Sequence, residues 1–113
     1  MRRIEFHKQA EKAIRKFPQE IRDPILHALL AVQMGTFPEN AKVLSGFGNA
    51  NVVEIRERGA SGTYRCVYTI HIAETIYVLH AFQKKSKSGI ATEPRHIKCI
   101  KDRIKALESS RKR

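Results

Sequence analysis

A chain of 113 residues with 42% hydrophobic content is long enough for one core and too short for two, so a single domain spanning 1–113 is expected. Two cysteines, Cys66 and Cys99, are too few for a disulfide framework, and no apolar run is long enough to span a bilayer, which makes a reduced, soluble, cytoplasmic protein the expectation. The formal net charge of +11 points to a polyanionic partner, and it is concentrated late: from Lys84 onward 11 basic residues face 3 acidic ones.

Taken in chain order, Arg3 to His7 alternates polar and apolar residues and predicts a short first strand. Ala10, Ile14 and Phe17 then fall at helical spacing, with Lys12, Arg15 and Lys16 on the other side, and Phe17-Pro18 ends that helix. A second helix carries Ile21, Ile25, Leu29 and Val32 on one stripe and closes at Gly35. Its start stays open between two readings. Asp23-Pro24 supplies an N-cap and a first helical residue, whereas a start near Pro18 demands a kink at Pro24. Thr36 to Asn51 is mainly loop, with room for a short extended piece.

Three strands are predicted next. In Val52–Arg58, Val53 and Ile55 point one way and Glu54, Arg56 and Arg58 the other. Gly59-Ala60-Ser61-Gly62 turns the chain into Thr63–Ile72, and Ala73-Glu74 turns it again into Thr75–Gln83. Thr92 to Leu107 is helical, with Ile97, Ile100, Ile104 and Leu107 along one face. The order β-α-α-β-β-β-α predicts an α+β fold: a small antiparallel sheet with an N-terminal αα-hairpin and a C-terminal helix, the helices on one face.

The chain lacks a Walker loop, G-x-G-x-x-G, H-E-x-x-H and C-x-x-C, and its five histidines are scattered without ligand spacing. Neither a metal nor a cofactor is expected. What remains is cationic and aromatic. Arg56 and Arg58 share a strand face, Arg65 sits inside the apolar run Tyr64-Arg65-Cys66-Val67-Tyr68, and Lys84, Lys85 and Lys87 follow the strand Thr75–Gln83. A cluster of this kind neutralises phosphate charge, arginine with a planar fork and lysine with a point charge. Arg65, Lys84 and Arg56 are therefore the catalytic candidates, with Arg58, Lys85, Lys87 and Tyr64 as RNA-binding candidates. Tyr64 and Tyr68 share a face and either could stack on a base, Tyr68 being the better core residue. His80 is a second-tier acid or base, because its place mid-strand with Val78 and Phe82 on its own face fits a buried, hydrogen-bonded histidine at least as well.

Three segments resemble the RelE/ParE superfamily of bacterial toxins, and most closely its HigB-like, phage-derived branch. They are Val53-Glu54-Ile55-Arg56, Tyr64-Arg65-Cys66-Val67-Tyr68, and His80-Ala81-Phe82-Gln83-Lys84-Lys85-Ser86-Lys87 with the helix start Thr92-Glu93-Pro94 after it. That start is one residue longer than is usual. The resemblance implies a RelE-like fold and the toxin of a type II toxin-antitoxin system. Its implied activity is ribosome-dependent, metal-independent cleavage of mRNA, which inhibits translation. A HigA-like helix-turn-helix antitoxin is the implied partner, besides the ribosome and mRNA. By motif position it puts Arg56, Arg65, Lys84, Lys85 and Lys87 in the functional set and leaves the acid and base open, since the chain ends Ser-Ser-Arg-Lys-Arg without a terminal histidine or tyrosine. Two rival readings share these features: a ParE-like inhibitor of DNA gyrase, and a non-catalytic RNA-binding module.

Overall fold

The computed structural model describes residues 1–71, 74–85 and 91–111. Strands β1 (Ile4–Phe6), β2 (Ala41–Leu44), β3 (Val52–Gly59), β4 (Gly62–His71) and β5 (Thr75–Lys84) form one sheet in the order β1-β5-β4-β3-β2. Helices α1 (Lys8–Arg15) and α2 (Gln19–Gln33) follow β1, and α3 (Pro94–Arg111) follows β5. The long strands β3, β4 and β5 are rich in β-branched and aromatic residues and pair antiparallel. Their first turn is fixed by Gly62, whose φ of +129° suits glycine, and a Cβ built there would lie 2.3 Å from the Lys84 carbonyl oxygen. The β3–β4 hairpin tip therefore rests directly on the backbone at the end of β5.

Alternation along the strands gives the sheet two covered faces. On one face Val53, Ile55, Tyr64, Cys66, Tyr68, Ile76 and Val78 meet the α1–α2 hairpin through Ala10, Ile14, Phe17, Ile21, Ile25 and Leu29. On the other, Val52, Val67, Tyr77, Leu79 and Phe82 meet Ile100 and Ile104 of α3. The α+β class and the αα-hairpin match the sequence reading, but the helices lie on both faces rather than one. An apolar residue at every position of β4 from Cys66 to Tyr68 leaves two faces to bury, and one helical layer cannot cover both.

Four further details refine or depart from the sequence expectation. The sheet is not wholly antiparallel: β1 runs parallel to β5, with Ile4 opposite Ile76 and Phe6 opposite Val78. The extended piece in 36–51 is a true edge strand, β2, paired antiparallel with β3 from Ala41–Ile55 to Leu44–Val52. Helix α2 starts early, with Pro18 at its N-cap and Pro24 inside it, so Pro24 is tolerated in the second turn with one backbone bond forgone. Finally, the β4–β5 register shifts where Val67 faces His80 but Tyr68 faces Val78. This bulge takes up Leu79 and changes the phase of the strand. Val78 belongs to the α1–α2 face, while His80 and Phe82 turn toward α3, so the expected sharing of one face by Val78 and His80 does not hold.

Candidate functional site

The centre of the α3 face is a carboxylate. Glu54 has no exposed surface, yet it sits on the strand face that carries Arg56. Its Oε1 accepts from Arg56 Nε at 2.7 Å and from Arg65 Nη1 at 3.1 Å. Its Oε2 accepts from Thr92 Oγ1 at 2.9 Å, and Arg65 Nη1 also lies 3.4 Å from that hydroxyl. A buried ion needs such a set of partners, because desolvation is otherwise prohibitive. The register explains the assembly: Arg56 and Arg65 are direct cross-strand partners, and two like charges side by side on a sheet require an anion between them. The sequence reading did not place Glu54 in the site. The signal available was an acid two residues before Arg56, on the same face, between Val53 and Ile55.

The candidate cations divide into two groups. Arg65, read from sequence as a catalytic cation, is 2% exposed and faces Glu54 rather than solvent. Burial lowers its pKa, Glu54 opposes that shift and Arg56 adds to it, but a guanidinium stays charged throughout. Lys84, at 8% exposure, donates from Nζ to the Ala91 carbonyl oxygen at 2.5 Å. Both therefore hold the segment that leads into α3, through Thr92 and Ala91 respectively. By contrast, the Arg56 side chain keeps 24% of its surface, and Arg58 and Lys85 are exposed. Asn40 braces Arg56, accepting from its backbone N–H and donating to its carbonyl oxygen at 2.9 Å. Arg56, Ala91 and Thr92 line an open cleft of about 290 Å³ whose other wall is Lys42 to Leu44 of β2 and Ser45 just after it. Lys42 was missed because its segment reads as loop. Lys87 lies outside the described residues. Tyr64 is corrected: it is buried on the opposite face, its ring 4.9 Å from that of Phe17, and cannot stack on a base.

A second polar cluster adjoins the first. His80 Nε2 and His96 Nδ1 are 2.8 Å apart, and the His96 ring stacks on Phe82 with centroids 3.7 Å apart and planes 12° apart. Arg103 Nη1 donates to the Leu79 carbonyl oxygen at 2.7 Å and lies 3.2 Å from His80 Nδ1. Burial, then Arg103, His96 and His7, push the His80 pKa down to about 4. Burial and Arg95 likewise lower that of His96, with Glu93 and Glu54 opposing and Arg65 assisting. Sequence reading ranked His80 second and overlooked His96, although His96 precedes Ile100 and Ile104 by four and eight residues on the inward stripe of α3. Among the described residues no group of three or more His, Cys, Asp or Glu side chains is placed to hold a metal ion. No helix among the described residues is long and apolar enough to cross a membrane.

Residues 12–105 match the family described as phage derived protein Gp49-like (DUF891). No curated protein matches the sequence. Among solved structures, the chain is similar to a mutant of the E. coli toxin RelE in the free state, at 20% identity and a TM-score of 0.53, over 73% of this chain and 82% of that one. It is also similar to the RelBE2 toxin-antitoxin complex from Mycobacterium tuberculosis, at 23% identity and a TM-score of 0.45, over 74% and 98% of the two chains. The RelE likeness is one of fold, and it agrees with the fold that the sequence motifs implied.

Proposed function

The chain belongs to the phage-derived Gp49-like family, and on that premise we propose that it is the toxin of a type II toxin-antitoxin pair, an endoribonuclease that cuts mRNA on the translating ribosome. The observation that carries this reading is the open cleft floored by Arg56, whose guanidinium is aimed by a fully buried carboxylate. A cation held this way needs no reorganisation when charge develops beside it, which is the condition for strong electrostatic stabilisation.

In the proposed reaction the RNA 2′-oxygen attacks the adjacent phosphorus. The 2′-O–P bond forms and the P–O5′ bond breaks, giving a 2′,3′-cyclic phosphate and a 5′-hydroxyl. One proton leaves the 2′-hydroxyl and one is gained by the 5′-oxygen, so the step needs no water. Arg56 bears on the charge at phosphorus, while Arg58 and Lys85, both exposed, hold flanking phosphates, with Lys87 in the same role. Arg65 and Lys84 act one layer back, fixing Glu54 and the Ala91–Thr92 segment. The ribosome supplies bound, bent mRNA, so that positioning does much of the work. A co-encoded helix-turn-helix antitoxin, acidic where it touches this +11 chain, is the proposed inhibitor.

The test is to induce the protein and map new 5′ ends across cellular RNA. Cuts confined to translated frames, absent in an Arg56→Ala strain, are the expected result. Intact mRNA accompanied by trapped, cleaved gyrase–DNA complexes would establish the ParE-like alternative instead.

A further inference from the structure

The His80–His96 pair has a direction, and that direction follows from Arg103. A guanidinium only donates, so His80 Nδ1, 3.2 Å from Arg103 Nη1, is an acceptor and carries no proton. The Cys99 thiol, 3.9 Å from the same nitrogen, is a second donor toward it. The proton of neutral His80 is then on Nε2, and it is donated across 2.8 Å to His96 Nδ1. His96 in turn must carry its proton on Nε2, which has no hydrogen-bond partner among the described residues. Three side chains thus fix one tautomer and leave one N–H unspent.

The place of that N–H matters. His96 stands in the first turn of α3 and stacks on Phe82, which is the cross-strand partner of Arg65. Four residues earlier, Thr92 is bonded to Glu54 and lines the Arg56 cleft. The charged and titratable groups that bear on His96 are Arg95, Glu93, Glu54 and Arg65, and those that bear on His80 are Arg103, His96 and His7. Protonating His96 would demand that His80 Nε2 accept, move the His80 proton to Nδ1 and set it against Arg103. The neutral pair is favoured by this wiring, and the first turn of a helix reinforces it.

Resting on the nuclease reading above, we propose that His96 is a further catalytic residue, a permanently neutral Nε2–H donor to an oxygen of the scissile phosphate, with His80 and Arg103 as the positioning residues that lock its tautomer. An imidazole in this role stabilises charge as an amide donor does. It neither takes the 2′-proton nor supplies the 5′-proton.

Long-range ¹H–¹⁵N spectra of the full-length protein at pH 7.5 should show both rings as Nε2–H tautomers, and Arg103→Met should release His80 to a mixture. Adding an RNA dinucleotide with a 2′-deoxy substitution should shift the His96 Nε2 resonance and leave that of His80 nearly unmoved. In ribosome-bound cleavage, His96→Ala should lower kcat by about 10²-fold, the scale of one lost oxyanion donor. His96→Gln, which keeps an N–H donor, should recover to within about tenfold of the parent. The ratio of parent to His96→Gln rates should stay flat from pH 6.5 to 8.5, whereas an imidazolium acid would lose its advantage as pH rises through its pKa. An Nδ1–H tautomer at either ring, a falling ratio, or His96→Ala cleaving at the parent rate would overturn the proposal. A parent protein that cleaves no RNA, yet shows the tautomers and the dinucleotide shift, would refute the nuclease reading while keeping His96 as a phosphate donor.

Discussion

Glu54 and Arg65 behave as one unit because neither has solvent to fall back on, at 0% and 2% exposure. Removing one member of such a pair leaves the other as an uncompensated buried charge, which typically costs about 3–5 kcal/mol. Arg65→Ala should therefore lower the urea midpoint at nearly unchanged m-value, and Glu54→Gln should do so as well, by less, since the amide keeps an acceptor. Arg58→Ala, at an exposed position, should stay within about 0.5 kcal/mol of the parent. An Arg65→Ala protein as stable as the parent would show that the ion pair is not what holds the face together. Loss of activity in Arg65→Ala consequently reports on Arg56 placement as much as on direct contact with RNA. The sequence singled out Arg56 and Arg65, the second because a cation inside an apolar run is conspicuous. It could not say which of them meets solvent, because that depends on the Glu54 carboxylate and on Thr92, 38 residues further along the chain.

At the scale of elements, periodicity recovered every long piece of secondary structure and failed where tertiary pairing decides. The four-residue strand β2 is half exposed and carries Lys42, so little in its composition announces a strand; its partner β3 makes it one. The parallel pairing of β1 arises because the α1–α2 hairpin returns the chain to the far edge of the sheet. The bulge at Leu79 is invisible to an alternation argument, yet it decides that His80 joins His96 rather than the α1–α2 core. At Gly62 the start of β4 closely approaches the backbone at the end of β5. A methyl group there would collide with the Lys84 carbonyl and approach Lys85 Cα at 3.1 Å, at a φ that disfavours side chains. Gly62→Ala should destabilise by more than the roughly 1 kcal/mol of an ordinary Gly→Ala mismatch. It should also displace Lys84 and Lys85, so that RNA affinity falls together with the melting temperature. Gly46→Ala, where nothing lies within 4 Å of the added methyl, is the control: only the positive φ is penalised, and RNA affinity should be unchanged.

For the whole molecule, the question is which part of the +11 charge is used. Basic side chains occur on the outer side of α3, at Lys98, Lys101 and Lys105, as well as lining the cleft, at Lys42 and Arg56, and exposed near the β3–β4 turn and the end of β5, at Arg58 and Lys85. Lys98 is already bonded to Asp102 at 3.0 Å, and the outward side of α3 has the character of a solvated helix surface. If Lys42, Arg56, Arg58 and Lys85 carry the contact with single-stranded RNA, counterion release predicts a log–log salt slope of about −0.7 per phosphate, or about −2.8 in all. Affinity should then fall about 50-fold between 50 and 200 mM salt by the same relation. Arg58→Ala and Lys85→Ala should each make the slope shallower by about 0.7, whereas Lys101→Ala and Lys105→Ala should leave it unchanged. Arg65→Lys, buried behind Glu54, should alter stability without altering the slope. Slopes that respond equally to substitutions at Arg58 or Lys85 and on α3 would mean that the protein attracts RNA through its overall field, and that the sheet-borne cations have no privileged role in holding the strand.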